Sequence, residues 1–269
     1  MIDNASLLVE SIIPKRSKSD EVRAFKVGLN RTAEMGWTQI HDAGSPLSDY
    51  EILKEIKKEE GLPVRVHLYV SDGEDASKFL DLGPYLDPDH FLTARGVKLY
   101  ADGAIGSRGA AFFTKYEDYE TKGFLIFQKE ETMPKLIKAL VNGIQVQTHA
   151  IGDLANKVTL DWYEEAFQKV SLENRIIAKP RWRIEHAQNI KPQDQIRYSE
   201  LNIIASMQPS HAIGDLHFAH KRLGEERLKD AYTWRNLIDL DVLVVGGSDA
   251  PVEIGDPRIE FKAAIGRKD

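Results

Sequence analysis

The sequence predicts an α/β fold built on a barrel of parallel strands. Short apolar, β-branched runs recur along the chain, and each ends in polar residues. Helix-like segments separate these runs, and alternation of that kind implies a parallel sheet covered on both faces. Ionisable side chains also gather at the C-terminal ends of the runs, where parallel barrels build their sites.

Seven runs carry this reading. They occupy 37–40 (ending in His41-Asp42-Ala43-Gly44), 64–70, and 96–100 (ending in Ala101-Asp102-Gly103). The others are 144–148 (ending in His149), 182–185 (ending in His186), 203–207 (ending in Gln208-Pro209) and 242–245 (ending in Gly246-Gly247-Ser248-Asp249). Between them, 21–35 places Val22, Phe25, Leu29 and Ala33 on one helical face, with Gly36 as a stop. The segments 131–141 and 154–170 read as helices too; the first stops at Asn142-Gly143, and the second carries Leu160, Tyr163 and Phe167 in one stripe. An open doubly wound sheet is the alternative, but no glycine-rich phosphate fingerprint follows any run. Seven strands leave one edge of a barrel open, an edge that proteins normally cover or pair.

The 269 residues suffice for one large barrel, and no linker or repeat divides them, so 1–269 is expected to be a single domain. A net charge of −6, with basic pairs such as Lys57-Lys58 set among acids, argues against nucleic acid as a partner. The chain has no cysteine, which excludes disulfides and thiolate metal sites. Without a signal-like or membrane-spanning apolar run, the expectation is a cytoplasmic protein with no membrane partner.

Four strand-end positions carry the chemistry: Lys98, His149, His186 and Asp249. A lysine within an apolar strand must lose its charge, pair it, or be modified. Singly, a strand-end histidine is an ordinary structural residue, and Asp249 could cap a helix. Together, two imidazoles, a carboxylate and a lysine at one barrel mouth form an N/O donor set suited to zinc or a similar divalent ion. His211 faces the same mouth as a candidate substrate contact, with Gln208 beside it. Arg108 either binds a substrate anion or stiffens its loop, which Asp102 braces. Glu185 should point away from His186 by strand alternation, toward a salt bridge on the helical side. His41 reads as strand-end structure, Glu253 as support near Asp249, and Asp153 and Asn156 as caps. His217 and His220 share a helical face.

Five segments resemble the YtcJ-like branch of amidohydrolase family 3: Gly-Val-Lys-Leu-Tyr-Ala-Asp-Gly-Ala-Ile-Gly-Ser-Arg-Gly-Ala (96–110), Thr-His-Ala-Ile-Gly-Asp (148–153), Arg-Ile-Glu-His-Ala-Gln (183–188), Ser-Met-Gln-Pro-Ser-His (206–211) and Gly-Ser-Asp-Ala-Pro-Val-Glu (247–253). The resemblance implies a metal-dependent TIM (β/α)8-type barrel with a small β-sandwich. It implies that Lys98, carboxylated in many members, bridges two metals, that His149 and His186 are ligands, and that Asp249 is both ligand and catalytic proton acceptor. It further implies hydrolysis of C–N bonds in amides, formamides or cyclic amides, with a small molecule as substrate.

One departure is large: the His-X-His pair of the family's first strand has no counterpart here. Met1-Ile-Asp-Asn-Ala resembles a segment downstream of that strand. The expectation is therefore an incomplete barrel lacking strand one and the sandwich, binding one divalent metal at most and impaired in catalysis. Residues 1–20, or a second copy of the chain in a homodimer, would cover the open edge. The alternatives are a non-catalytic barrel remnant, or a barrel enzyme of another class that uses Lys98.

Overall fold

The computed structural model describes residues 9–267, apart from 10 and 15. The segment 1–5 that carries part of the resemblance lies outside the described residues, as does much of the proposed cover over 1–20.

All seven expected runs are parallel strands of one sheet. After helix α1 (Lys18–Glu34) come β1 (Gln39–Ser45), α2 (Leu47–Glu60), β2 (Arg65–Ser71), α3 (Glu74–Leu82), a two-residue β3 (Tyr85–Leu86) and β4 (Leu92–Tyr100). Then follow α4 (Lys129–Val141), β5 (Gln145–Ala150), α5 (Asp153–Lys169), β6 (Arg183–His186), α6 (Pro192–Glu200) and β7 (Ile204–Met207). The chain continues through α7 (Pro209–Asp215), α8 (Ala219–Leu228), α9 (Trp234–Asp239), β8 (Val244–Gly246) and α10 (Pro257–Gly266). Ser17 caps α1 by accepting from the Asp20 N–H, as a serine just before an amphipathic run should.

Hydrogen bonding runs β1-β2-β4-β5-β6-β7-β8, and β3 adds antiparallel to β4. Sequence reading missed β3, because two residues carry no periodicity. Strands β1 and β8 do not pair, so the sheet is open between them. The two edges still touch through Trp37, whose indole N–H donates to the Gly255 carbonyl at 2.6 Å.

Side chains alternate between two environments. Val66, Leu68, Val70, Val97, Leu99, Val146, Ile184, Ala205 and Met207 join the main apolar core under the helices. The intervening residues face the barrel interior, and many are polar. His67 stacks on Tyr69 at 4.8 Å between centroids, with His41 tilted against His67 at 4.9 Å. Tyr69 donates to Gln145 Oε1 at 2.6 Å, and the Arg183 guanidinium lies over the Tyr69 ring. His41 is thus the third residue of β1 within this interior stack, not a strand-end residue. His217 and His220 do not share a helix either, because His217 lies in the turn before α8.

A 28-residue excursion, 101–128, separates β4 from α4. Its Ile105, Ala110, Phe112 and Tyr116 form a second small core together with Ile151, just after β5, and Leu223 of α8.

Candidate metal centre

The ends of β5, β6, β7 and β8 converge at the mouth. His186, His211 and Asp249 each present one ligand atom, and these atoms all lie within 4.8 Å of one another. The cluster keeps two of the four residues expected to share a metal and adds His211, expected to touch substrate. Helix α7 starts at the end of β7 and turns His211 back over the opening, stacking its ring 5.7 Å from that of His186.

His149 lies one ring further on, its centroid 4.5 Å from that of His186. Its Nε2 approaches the Gly103 carbonyl at 3.3 Å and Asp102 Oδ1 at 3.5 Å. A carbonyl can only accept, so Nε2 carries the proton and Nδ1 keeps a lone pair for the site. Asp102 is fully enclosed and accepts from the backbone N–H groups of Ala111, Ile151 and Gly152. It therefore locks the loop after β4 to the end of β5, the bracing role expected of it. Burial pushes its carboxyl up to about 7, against the pull of those three donors.

Lys98 is buried on β4, with Nζ 3.5 Å from the Ala43 carbonyl and 5.2 Å from the centre of the Tyr100 ring. Burial lowers its pKa, while Glu185 and Asp249 oppose the shift by attraction. Glu185 is therefore inside the barrel, contrary to the alternation argument that sent it to the helical side. Arg183 and Glu185 both face inward in register. His186 should then face outward, but its backbone has φ +70°, which turns the ring back to the mouth. Asp249 also sits at positive φ, +56°. Left-handed backbone at two non-glycine residues of one cluster is strain of the kind that gathers at functional sites.

Gln208 was expected to contact substrate; instead it is buried beneath His186 and accepts from its Nδ1 at 2.7 Å. Its amide N–H reaches Glu185 Oε2 at 3.4 Å and the Ser206 carbonyl at 3.3 Å. Those acceptors fix the orientation of the amide, so the oxygen faces His186 and leaves Nε2 as the free lone pair. Arg108 is likewise committed, through a bidentate pair with Asp118 at 3.0 and 2.9 Å and a stack over Tyr119. Of its two readings, the geometry is that of loop stiffening. Glu253 Oε1 lies 3.7 Å from His211 Nε2, and Asp249 Oδ2 lies 3.9 Å from it.

The residues fit a divalent ion. His211 Nε2 is buried with no hydrogen-bond partner among the described residues, an arrangement that is costly unless something else coordinates it. Burial holds His186 well below the usual imidazole range and His149 near 4, so both rings keep ligating lone pairs at neutral pH. Asp249 brings a carboxylate, which burial raises and His211 and Lys98 pull down.

The sequence matches the family described as "Amidohydrolase family" across residues 1–269. The chain belongs to that family. It is 30% identical to "Putative amidohydrolase YtcJ" of Bacillus subtilis (strain 168), over all of this chain and 50% of that protein. It is 36% identical to "Protein LONG AFTER FAR-RED 3" of Arabidopsis thaliana over 66% of this chain and 30% of that one. Among solved structures, an uncharacterized metal-dependent hydrolase from Pyrococcus horikoshii OT3 superposes with a TM-score of 0.81 at 28% identity, covering 94% of this chain and 49% of that one. Its counterpart from Pyrococcus furiosus gives the same score and identity, covering 97% and 52%. This amidohydrolase-family chain spans about half the length of these relatives or less. Among the described residues no helix is long and apolar enough to cross a membrane.

Proposed function

We propose that this chain carries the metal-binding face of a hydrolase that cleaves C–N bonds in small amides, formamides or cyclic amides. The observation that supports it is the approach of His186, His211 and Asp249 ligand atoms to within 4.8 Å. His186 would hold a divalent ion, most suitably zinc, through Nε2, with His211 and Asp249 completing the set and His149 Nδ1 and Lys98 alongside. Such an ion supplies Lewis acidity, which acidifies water and polarises a carbonyl.

The chain's own groups divide the remaining work. Asp249 accepts the proton of the attacking water and returns it to the departing nitrogen. Gln208 keeps His186 in the Nδ1–H tautomer, and Asp102 with Gly103 keeps His149 in the Nε2–H tautomer. Lys98 balances the charge of Glu185 and Asp249 at the floor of the site.

The test combines metal analysis after dialysis against zinc with a panel of acyl amides assayed with and without the ion. One zinc per chain, with zinc-dependent release of amine, is expected. The absence of both uptake and turnover would remove the proposal.

A further inference from the structure

We propose that a cavity beside the histidine cluster is a specificity pocket for a bulky apolar substrate group, aromatic or branched, that carries an N–H or O–H donor. This deepens the hydrolase reading and rests on it. The cavity has a volume of about 380 Å³ and is walled by Ile105, Leu216, Ala219, Leu223, Leu228 and Ala231; its polar lining is Asp215 together with His220, Glu225, Tyr232 and Arg267. A cavity of roughly 150 Å³ lined by such residues holds a benzene ring, so this one accommodates a bicyclic group.

Three connections tie the cavity to the site. Asp215 lies one helical turn beyond His211 on α7, and positions four apart share a face. Gln188, two residues after His186, donates to Asp215 Oδ2 at 2.7 Å. Ile105 belongs to the same loop as Gly103, whose carbonyl meets His149. A substrate with its reacting carbonyl at the cluster can therefore extend a side group past α7 into the cavity.

The Asp215 carboxylate, the polar group nearest His211 along the helix, defines the donor. Tyr232 also donates to Asp215 Oδ2, again at 2.7 Å, so both hydrogen bonds fall on one oxygen. Among the described residues nothing donates to Oδ1. A ligand hydroxyl or N–H reaching Oδ1 would complete the carboxylate, whereas a purely alkyl group would leave that oxygen unmatched.

The probes are N-(1-naphthylmethyl)acetamide and its ring-hydroxylated analogue, followed by naphthyl fluorescence. Wild-type protein should bind the hydroxylated probe about tenfold more tightly than the plain one, as expected for a hydrogen bond to a charged group. Ala219→Phe and the milder Ala231→Leu both fill the cavity and should weaken both probes at least tenfold, with zinc uptake and circular dichroism unchanged. Equal affinity of wild type and Ala231→Leu would overturn the pocket. The two readings can fail separately. Probe binding that responds to these variants in a protein that takes up no zinc and releases no amine would sink the hydrolase reading alone. Zinc uptake and amide turnover with no response to the variants would sink the pocket alone.

Discussion

His186 Nδ1 and Gln208 Oε1 lie 2.7 Å apart, and that single contact determines which nitrogen of His186 faces the cluster. Gln208 cannot turn over without losing its donors' contacts to Glu185 and the Ser206 carbonyl. Gln208→Leu keeps the bulk but removes the acceptor. Zinc affinity should fall about 10- to 100-fold, the usual cost of removing a group that orients a ligand. Competition against a chelating dye checks this, and undiminished affinity would show that His186 needs no orientation.

His211 and Asp249 should separate binding from chemistry. His211→Ala removes a half-buried imidazole whose enclosed Nε2 makes no hydrogen bond among the described residues, and zinc uptake should drop with it. Asp249→Asn retains an oxygen ligand but cannot take a proton. Its turnover should fall about 10²- to 10⁴-fold, the usual range for a lost general base, while most zinc uptake remains. Paired metal analysis and amide-hydrolysis rates decide the matter. Loss of uptake in Asp249→Asn equal to that in His211→Ala would argue against a proton-transfer role.

The interior stack makes stability depend on acid. Burial, reinforced by His41 and Arg183, lowers the His67 pKa to about 3, against 6.5 in an open chain. Below pH 6.5 the unfolded chain takes up a proton that the folded chain refuses. The full stability is thus present above pH 6.5 and is lost progressively as pH falls toward 3, by at most about 1.4 kcal/mol per pH unit for this residue. Urea midpoints at pH 7 and pH 5 should differ markedly in wild type and less in His67→Gln. Identical pH slopes in the two proteins would assign the acid sensitivity elsewhere.

Much of this was readable in advance. Each of the seven strands announced itself by an apolar run with polar residues at its end, because parallel strands are buried on the helical face whatever lines the interior. Lys98, His149, His186 and Asp249 stood out because each is an ionisable residue at or near the C-terminal end of such a run, within it or a few residues beyond. What failed were inferences that assumed regular backbone. Glu185 was sent to the wrong face because alternation cannot foresee φ +70° at His186. Gln208 and Arg108 were read from their polarity, but their partners, His186 and Asp118, are fixed by tertiary packing. His211 was seen at the mouth, yet its place among the ligand atoms depends on how α7 leaves β7.

Gly96 offers a test of the barrel interior itself. Tyr69 is fully buried there, and a Cβ on Gly96 would stand 2.2 Å from Tyr69 Cδ1 and 3.1 Å from the Gln145 carbonyl oxygen. The ring is held by its hydrogen bond to Gln145 and by the stack with His67, so it has little freedom to retreat. Gly96→Ala should therefore cost about 1–3 kcal/mol through overpacking. Tyr69→Leu is destabilising alone, since it removes the ring and its hydrogen bond, but it vacates the space that the new methyl group needs. The double variant should thus be more stable than the sum of the two losses implies, with a coupling of roughly 0.5–3 kcal/mol. Urea unfolding of the four proteins measures it, and strict additivity would mean that the tyrosine ring is not what keeps position 96 bare.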